Sequence, residues 1–236
     1  MRSSKEYYMY DSGNMFHIPF NKRNLVTNQR YSIPGFPCLY LGTSLYVCWE
    51  ELNRPDLETI NCAAFRNTTV LDFLTIDLPT WSQIKDVIAF KRIIIYLLCT
   101  IIVKDRNASF KFEYLIPQLI MQCLVTYNET ASKKIDGIAY ISSRYYDTKN
   151  MVYENIKPQM KNYVIPVRES IESSHYSEYL TKRFQQTHTI SPYYQHLKKT
   201  RFVSQPYIKQ YDTSIFRKQE LTLSKLDFEI INIDVE

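Results

Sequence analysis

Two short stretches of the 236-residue chain hold most of the residue types that could do chemistry together. Arg30 through Gly42, running on into Trp49-Glu50-Glu51, supplies a guanidinium, the phenols of Tyr31 and Tyr40, and two carboxylates; Asp136 through Arg144 supplies Tyr140, Ser142 and Arg144. Three of the four glycines, Gly35, Gly42 and Gly137, lie in these stretches. So scarce a residue goes where the backbone turns with positive φ or leaves room for a bound group. Beside Arg, Tyr, Glu and Ser it marks a polar pocket.

Several chemistries find no support. His17, His175, His188 and His196 are dispersed and none sits in a Cys/His cluster of zinc spacing, so no metal is expected. Neither GxGxxG nor GxxxxGK[ST] is present, so a bound nucleotide would have to be held by side chains. Ser142 has no GxSxG context and no neighbouring His, which argues against a hydrolase triad.

The elements that must position these groups follow from local pattern. Pro34, Gly35 and Pro37 describe a turn, and Cys38-Leu39-Tyr40-Leu41 reads as a short strand. Ser44 offers an N-cap for a helix from Leu45 to about Asn53, on which Leu45, Cys48 and Leu52 form one apolar face. Glu51 falls beside that face and can reach a pocket; Glu50 falls opposite and should see solvent. Val70–Ile76, Gly137–Ser142, Met151–Ile156 and Asn162–Val167 read as strands, Ile93–Val103 as a buried helix or strand, and Glu113–Val125 as a helix with Pro117 near its first turn. The alternation makes the fold class α/β (α+β), a compact domain with a mixed sheet.

Apolar residues make up 45% and charged residues 22%, ordinary for a globular chain. The eleven-residue run Ile93–Val103 is too short to cross a bilayer, so no membrane is expected. Cys38, Cys48, Cys62, Cys99 and Cys123 show no CxxC spacing and read as reduced core residues; Met1–Tyr10 lacks the apolar stretch of a secretory signal, which makes the cytoplasm the expected compartment. The texture changes near residue 170, giving a lead-in (1–27), a compact domain (28–168) and a C-terminal extension (169–236). Thr181–Lys218 carries eight cations against Asp212 alone, a net +7 that leaves the remainder at −2. Its cations are spaced among aromatics, not clustered on a reading helix, so a protein partner or a structural role is expected before nucleic acid.

Arg30, Gly35, Tyr40 and Glu51 also stand at the spacing of the first motif of the RES family, named for its Arg, Glu and Ser; Gly137, Ile138, Tyr140, Ser142 and Arg144 resemble its last motif, and Tyr114-Leu115-Ile116-Pro117-Gln118 resembles an intervening helix start. The resemblance covers residues 17–168. It implies a fold like that of ADP-ribosyltransferases and diphtheria-type toxins, and a bacterial toxin that destroys NAD as growth-arresting member of a toxin-antitoxin or defence pair. It further implies an antitoxin over the cleft and self-association. On that reading Arg30, Tyr40, Glu51 and Ser142 form the catalytic set: Glu51 steadies a positive ribose or holds its hydroxyls, Arg30 holds the pyrophosphate as a fork, Tyr40 stacks on nicotinamide or contacts the adjacent ribose, and Ser142 bonds a ribose hydroxyl or the amide. Tyr31, Gly35, Tyr114, Gln118 and Arg144 are the surrounding substrate-binding positions. Taken singly, each has a plainer role: Arg30 in a surface ion pair, Tyr40 and Tyr114 in packing, Gln118 as a buried strut, Ser142 as a strand-end cap for Arg144. Water, phosphate or a protein side chain as acceptor would make the enzyme a glycohydrolase, a phosphorylase or an ADP-ribosyltransferase, and a non-catalytic nucleotide- or nucleic-acid-binding module is the rival.

Overall fold

A computed structural model describes residues 1–4, 8–84, 87–105, 107–146, 159–168, 176–191 and 211–231. In chain order its main elements are β1 (Arg2–Ser3), β2 (Cys38–Gly42), α1 (Leu45–Glu51), β3 (Ile60–Asn61), β4 (Phe65–Asn67), β5 (Phe73–Ile76), α2 (Val87–Cys99), α3 (Leu115–Thr130), β6 (Gly137–Ile141), β7 (Lys161–Pro166), α4 (Glu178–Thr181), β8 (Phe184–Gln186), α5 (Ile215–Leu223) and β9 (Glu229–Ile230). The arrangement is mixed α and β, with both parallel and antiparallel pairing.

The central sheet runs β2-β7-β6-β5; β7 is antiparallel to both neighbours and β5 is parallel to β6. Period-two alternation divides its side chains between two cores. Ile138, Tyr140 and Val164 join Tyr31, Tyr96, Met121 and Leu124 beneath α2 and α3. Leu39 and Ile165 point the other way, to Phe16, Leu180 and Phe184. Gly137 is required at the start of β6, because a Cβ there would lie 2.3 Å from the Val164 carbonyl oxygen.

A second sheet, β4-β8-β9, and the packing of α5 on α1 bring segments from beyond residue 170 against the domain. Tyr46 and Trp49 of α1 meet Phe216 of α5 with ring centroids 5.4 and 5.2 Å apart.

The structure corrects the expectation for Glu50. It is buried, not solvated, and Arg54 folds back to bond both its carboxylate oxygens at 2.8–3.1 Å. Arg54 and Asn53 take positive φ, 56° and 68°, to make that return. A second correction concerns Ile93–Val103. The segment is the end of a helix and the turn beyond it, and only Tyr96 and Cys99 within it are buried, because α2 has the sheet and α3 on one side only. The strand expected from Val70 starts at Phe73, and Met151–Ile156 lies outside the described residues. All five cysteines are free; Cys62 and Cys99 are buried and Cys123 is exposed. Burial pushes the Cys38 and Cys62 thiols up to about 12, which leaves them protonated and inert at neutral pH.

Candidate functional site

Glu51 reaches the site from the last turn of α1, whose start is set by Ser44: its backbone is extended and its hydroxyl accepts from the Val47 amide at 3.0 Å. Gly42 lets the helix come this close, since a Cβ there would lie 2.6 Å from Val47 Cγ1 and 2.7 Å from Cys48 Sγ. Strands β6 and β7 then meet the carboxylate from below. Ser142 Oγ, just past β6, and Asn162 Nδ2, on β7, each donate to Glu51 Oε1 at 2.7 Å. Both donors are buried. Glu51 itself is exposed, and among the described residues no donor occupies its Oε2.

Ser142 is fully enclosed and does not line the cleft. Its hydroxyl also accepts from the Arg144 amide at 3.1 Å, so the serine caps the short turn at residues 143–146 while fixing Glu51. It is a positioning residue.

Tyr40 projects from the centre of β2 into the cleft, and its hydroxyl lies 2.9 Å from Ser32 Oγ and accepts from the Tyr31 amide at 3.3 Å. Burial holds its pKa well above the usual phenol value, so it stays a neutral hydrogen-bonding group. Arg30 is anchored more heavily than its sequence suggests. Its terminal nitrogens donate to the Cys99 carbonyl at 2.9 Å, to the Ile101 carbonyl at 3.1 Å twice, and to Ser143 Oγ at 2.9 Å, while the guanidinium stands 5.2 Å from the centre of the Tyr114 ring. With both terminal nitrogens so engaged, a fork on a pyrophosphate would have to exchange these bonds. What Arg30 presents in this arrangement is a fixed positive charge.

Tyr140 links the two ends of the site. Burial raises its pKa well above the phenol value, and the charge of Glu51 raises it further while that of Arg30 opposes. One buried phenol on β6 therefore feels both groups of a motif that is remote in sequence. Arg30, Tyr40, Glu51, Tyr114, Arg144 and Asn162 all line a single cleft of about 1790 Å³.

The remaining candidates stand behind or outside that wall. Tyr31 is fully buried against Tyr140, ring centroids 4.7 Å apart. Gln118, from α3, donates to Asn28 Oδ1 at 2.6 Å and to the Gln29 and Ser32 carbonyls at 2.8 and 3.2 Å, tying down the loop that carries Arg30. Gly35 has φ +80°, turns the chain before β2 and is not part of the lining. Sequence reasoning missed Asn162 and Ser143. Asn162 left one signal, an amide inside the apolar run of β7 at the register position opposite Tyr140 and Gly42.

Among the described residues no group of three His, Cys, Asp or Glu side chains could hold a metal, and no helix is long and apolar enough to cross a membrane. The lining brings together one carboxylate with an open oxygen, a neutral phenol, and the cations of Arg30 and Arg144. It can stabilise positive charge at one point and negative charge at another.

The chain is similar to a Bacillus subtilis (strain 168) protein named "Putative toxin YopC", with 38% identity over 186 residues. That match takes in 72% of this chain and 40% of the other, so it spans about two fifths of the relative's length. No protein-family model matches the chain, and no solved structure does.

Proposed function

We propose that the chain is a toxin-like enzyme of the RES type, with an ADP-ribosyltransferase-like fold, that cleaves the nicotinamide N-glycosidic bond of NAD. The observation that carries this reading is the carboxylate of Glu51, fixed through one oxygen by Ser142 and Asn162, with its other oxygen open to a cleft that also holds Arg30 and Tyr40. The toxin name borne by a relative adds to it.

The chemistry asks for just such a charge. When the C1′–N1 bond breaks, its electron pair leaves with the nicotinamide nitrogen, whose positive charge is quenched, and the ribose becomes oxocarbenium-like. A nucleophile then bonds to C1′ and gives up its proton. A carboxylate held beside C1′ before the reaction stabilises the developing cation without reorganisation. Arg30 offsets the pyrophosphate charge, Arg144, also in the lining, would bond it, and Tyr40 would offer a ring face to nicotinamide or its hydroxyl to the ribose. Water as acceptor makes the enzyme a glycohydrolase, phosphate a phosphorylase, and a protein side chain an ADP-ribosyltransferase. An inhibitory antitoxin would occupy the mouth of the cleft.

The test is to incubate purified protein with NAD, with and without phosphate and with a bacterial lysate, and to identify products by mass. ADP-ribose, ADP-ribose 1″-phosphate or a modified protein each supports N-glycosidic cleavage and names the acceptor. NAD bound without turnover under all three conditions would favour a binding module.

A further inference from the structure

Glu220 lies on α5, in a part of the chain that carries none of the sequence motifs, yet its carboxylate is directed to α1. Oε1 accepts from the Leu45 amide at 2.8 Å and from the Tyr211 hydroxyl, and Oε2 stands 3.4 Å from Arg217 Nη1. Leu45 is the first residue of α1, so its amide is one of those a helix leaves without an internal partner. Glu220 supplies that partner across 175 residues of sequence. Burial raises the pKa of Tyr211 and the bond to Glu220 raises it further, so the phenol remains a donor to the carboxylate.

Whatever holds the start of α1 acts on its end, because Glu51 is its last residue. Seven residues are too few for a helix to stand alone, so its pose is set by what grips it. Ser44 accepts from the Val47 amide and donates to the Gln159 carbonyl at 2.7 Å, and Tyr46 and Trp49 rest on Phe216 of α5. Glu220 adds a charged acceptor to that grip, on the first turn. From Leu45 to Glu51 is about 9 Å along the axis, so rocking α1 by about 10° carries the Glu51 carboxylate through about 1.5 Å. The 2.7 Å bonds from Ser142 and Asn162 do not survive such a shift.

We propose that Glu220 is a positioning residue for Glu51: it fixes the first turn of α1 so that the last turn delivers the carboxylate to Ser142 and Asn162 with its second oxygen open. The inference rests on the reading of Glu51 as the group that stabilises the ribose cation. On it the catalytic unit does not end near residue 168 but includes α5.

Steady-state nicotinamide release from NAD by the full chain tests the proposal. Glu220→Ala should lower kcat on the order of 10-fold or more with KM for NAD unchanged, because the loss is one of alignment. Glu220→Gln keeps an oxygen for the Leu45 amide and should restore most of the rate. Because Glu220 acts through the Glu51 carboxylate, Glu220→Ala should slow a Glu51→Gln variant by less than about 3-fold. Wild-type kcat in Glu220→Ala, or losses that multiply in the double variant, would overturn the proposal. Where the Ala variant fails to fold, Glu220→Asp, one methylene short of the Leu45 amide, should show the same fall in kcat at unchanged KM, and its absence counts equally against the proposal. A wild type that releases no nicotinamide refutes the reading of the site instead, and the NMR signal of the Asn162 side-chain amide then decides the role of Glu220. Its proton bonded to Glu51 should lie downfield in the wild type and move toward the free-amide position in Glu220→Ala but not in Glu220→Gln. An unmoved signal in Glu220→Ala would overturn the proposal.

Discussion

Replacing Asn162 by Asp swaps a donor for a second carboxylate where the structure has least room for one. Asn162 Nδ2 stands 2.7 Å from Glu51 Oε1 and the side chain is buried, so the new charge would sit about 4 Å from that of Glu51. At an effective dielectric near 20, two unit charges at that separation repel by about 4 kcal/mol. Glu51 is exposed on its other side, and solvent screening trims the figure toward about 2 kcal/mol. For a chain of this size the range corresponds to a fall in Tm of roughly 5–15 °C. Asn162→Ala separates repulsion from the loss of one bond: it removes a hydrogen bond to a charged group, about 1.5–3 kcal/mol, and keeps the one from Ser142. Urea denaturation at pH 7 and pH 5 distinguishes the two variants. The Asp variant should be the less stable at pH 7 and should approach the Ala variant at pH 5, because protonating either carboxylate ends the repulsion. An Asp variant as stable as the wild type at pH 7 would refute the assignment of Asn162 as the mount of Glu51.

Three further outcomes follow from other parts of the fold. His17 is buried and neutral, with Nδ1–H donating to the Ile18 carbonyl and Nε2 accepting from the Ser177 amide; burial lowers its pKa from 6.5 to about 4. The unfolded chain therefore binds the extra proton first as pH falls. Stability should hold above pH 6.5 and decline between 6.5 and 4 by on the order of 3 kcal/mol, and His17→Gln should flatten that part of a Tm-versus-pH curve. Gly137→Ala drives a Cβ to 2.3 Å from the Val164 carbonyl oxygen, so the central strands must part; a loss of about 2 kcal/mol or more is expected in urea denaturation. Gln118→Ala removes its three hydrogen bonds to the 28–32 loop and should raise amide hydrogen exchange at Gln29 while leaving β6 protected.

Local chemistry made much of this legible. Ser44 announces the start of α1, the apolar run after Gly137 announces β6, and the scarce Gly42 and Gly137 stand where a Cβ would collide. Glu51 beside the apolar face of its helix does reach the cleft. Glu50 was illegible because Arg54 reaches it only after the chain turns back through Asn53 and Arg54 at positive φ, a return that no helical wheel contains. The four anchoring bonds of Arg30 were hidden for a different reason, since three of them go to two backbone carbonyls at the end of α2 and just past it, which any residue type could supply. Period-two reasoning could have found Asn162, because an amide within an apolar strand needs a buried partner.

The central claim is that Glu51 stabilises positive charge on a ribose, and nicotinamide release from NAD tests it most directly. Gln at position 51 keeps an oxygen for Ser142 and Asn162 but loses the charge. The wild-type chain should release nicotinamide, and Glu51→Gln should do so on the order of 100-fold more slowly or worse with an unchanged melting temperature. Release at the wild-type rate by the Gln variant, or none from the wild type with water, phosphate or protein as acceptor, would contradict it.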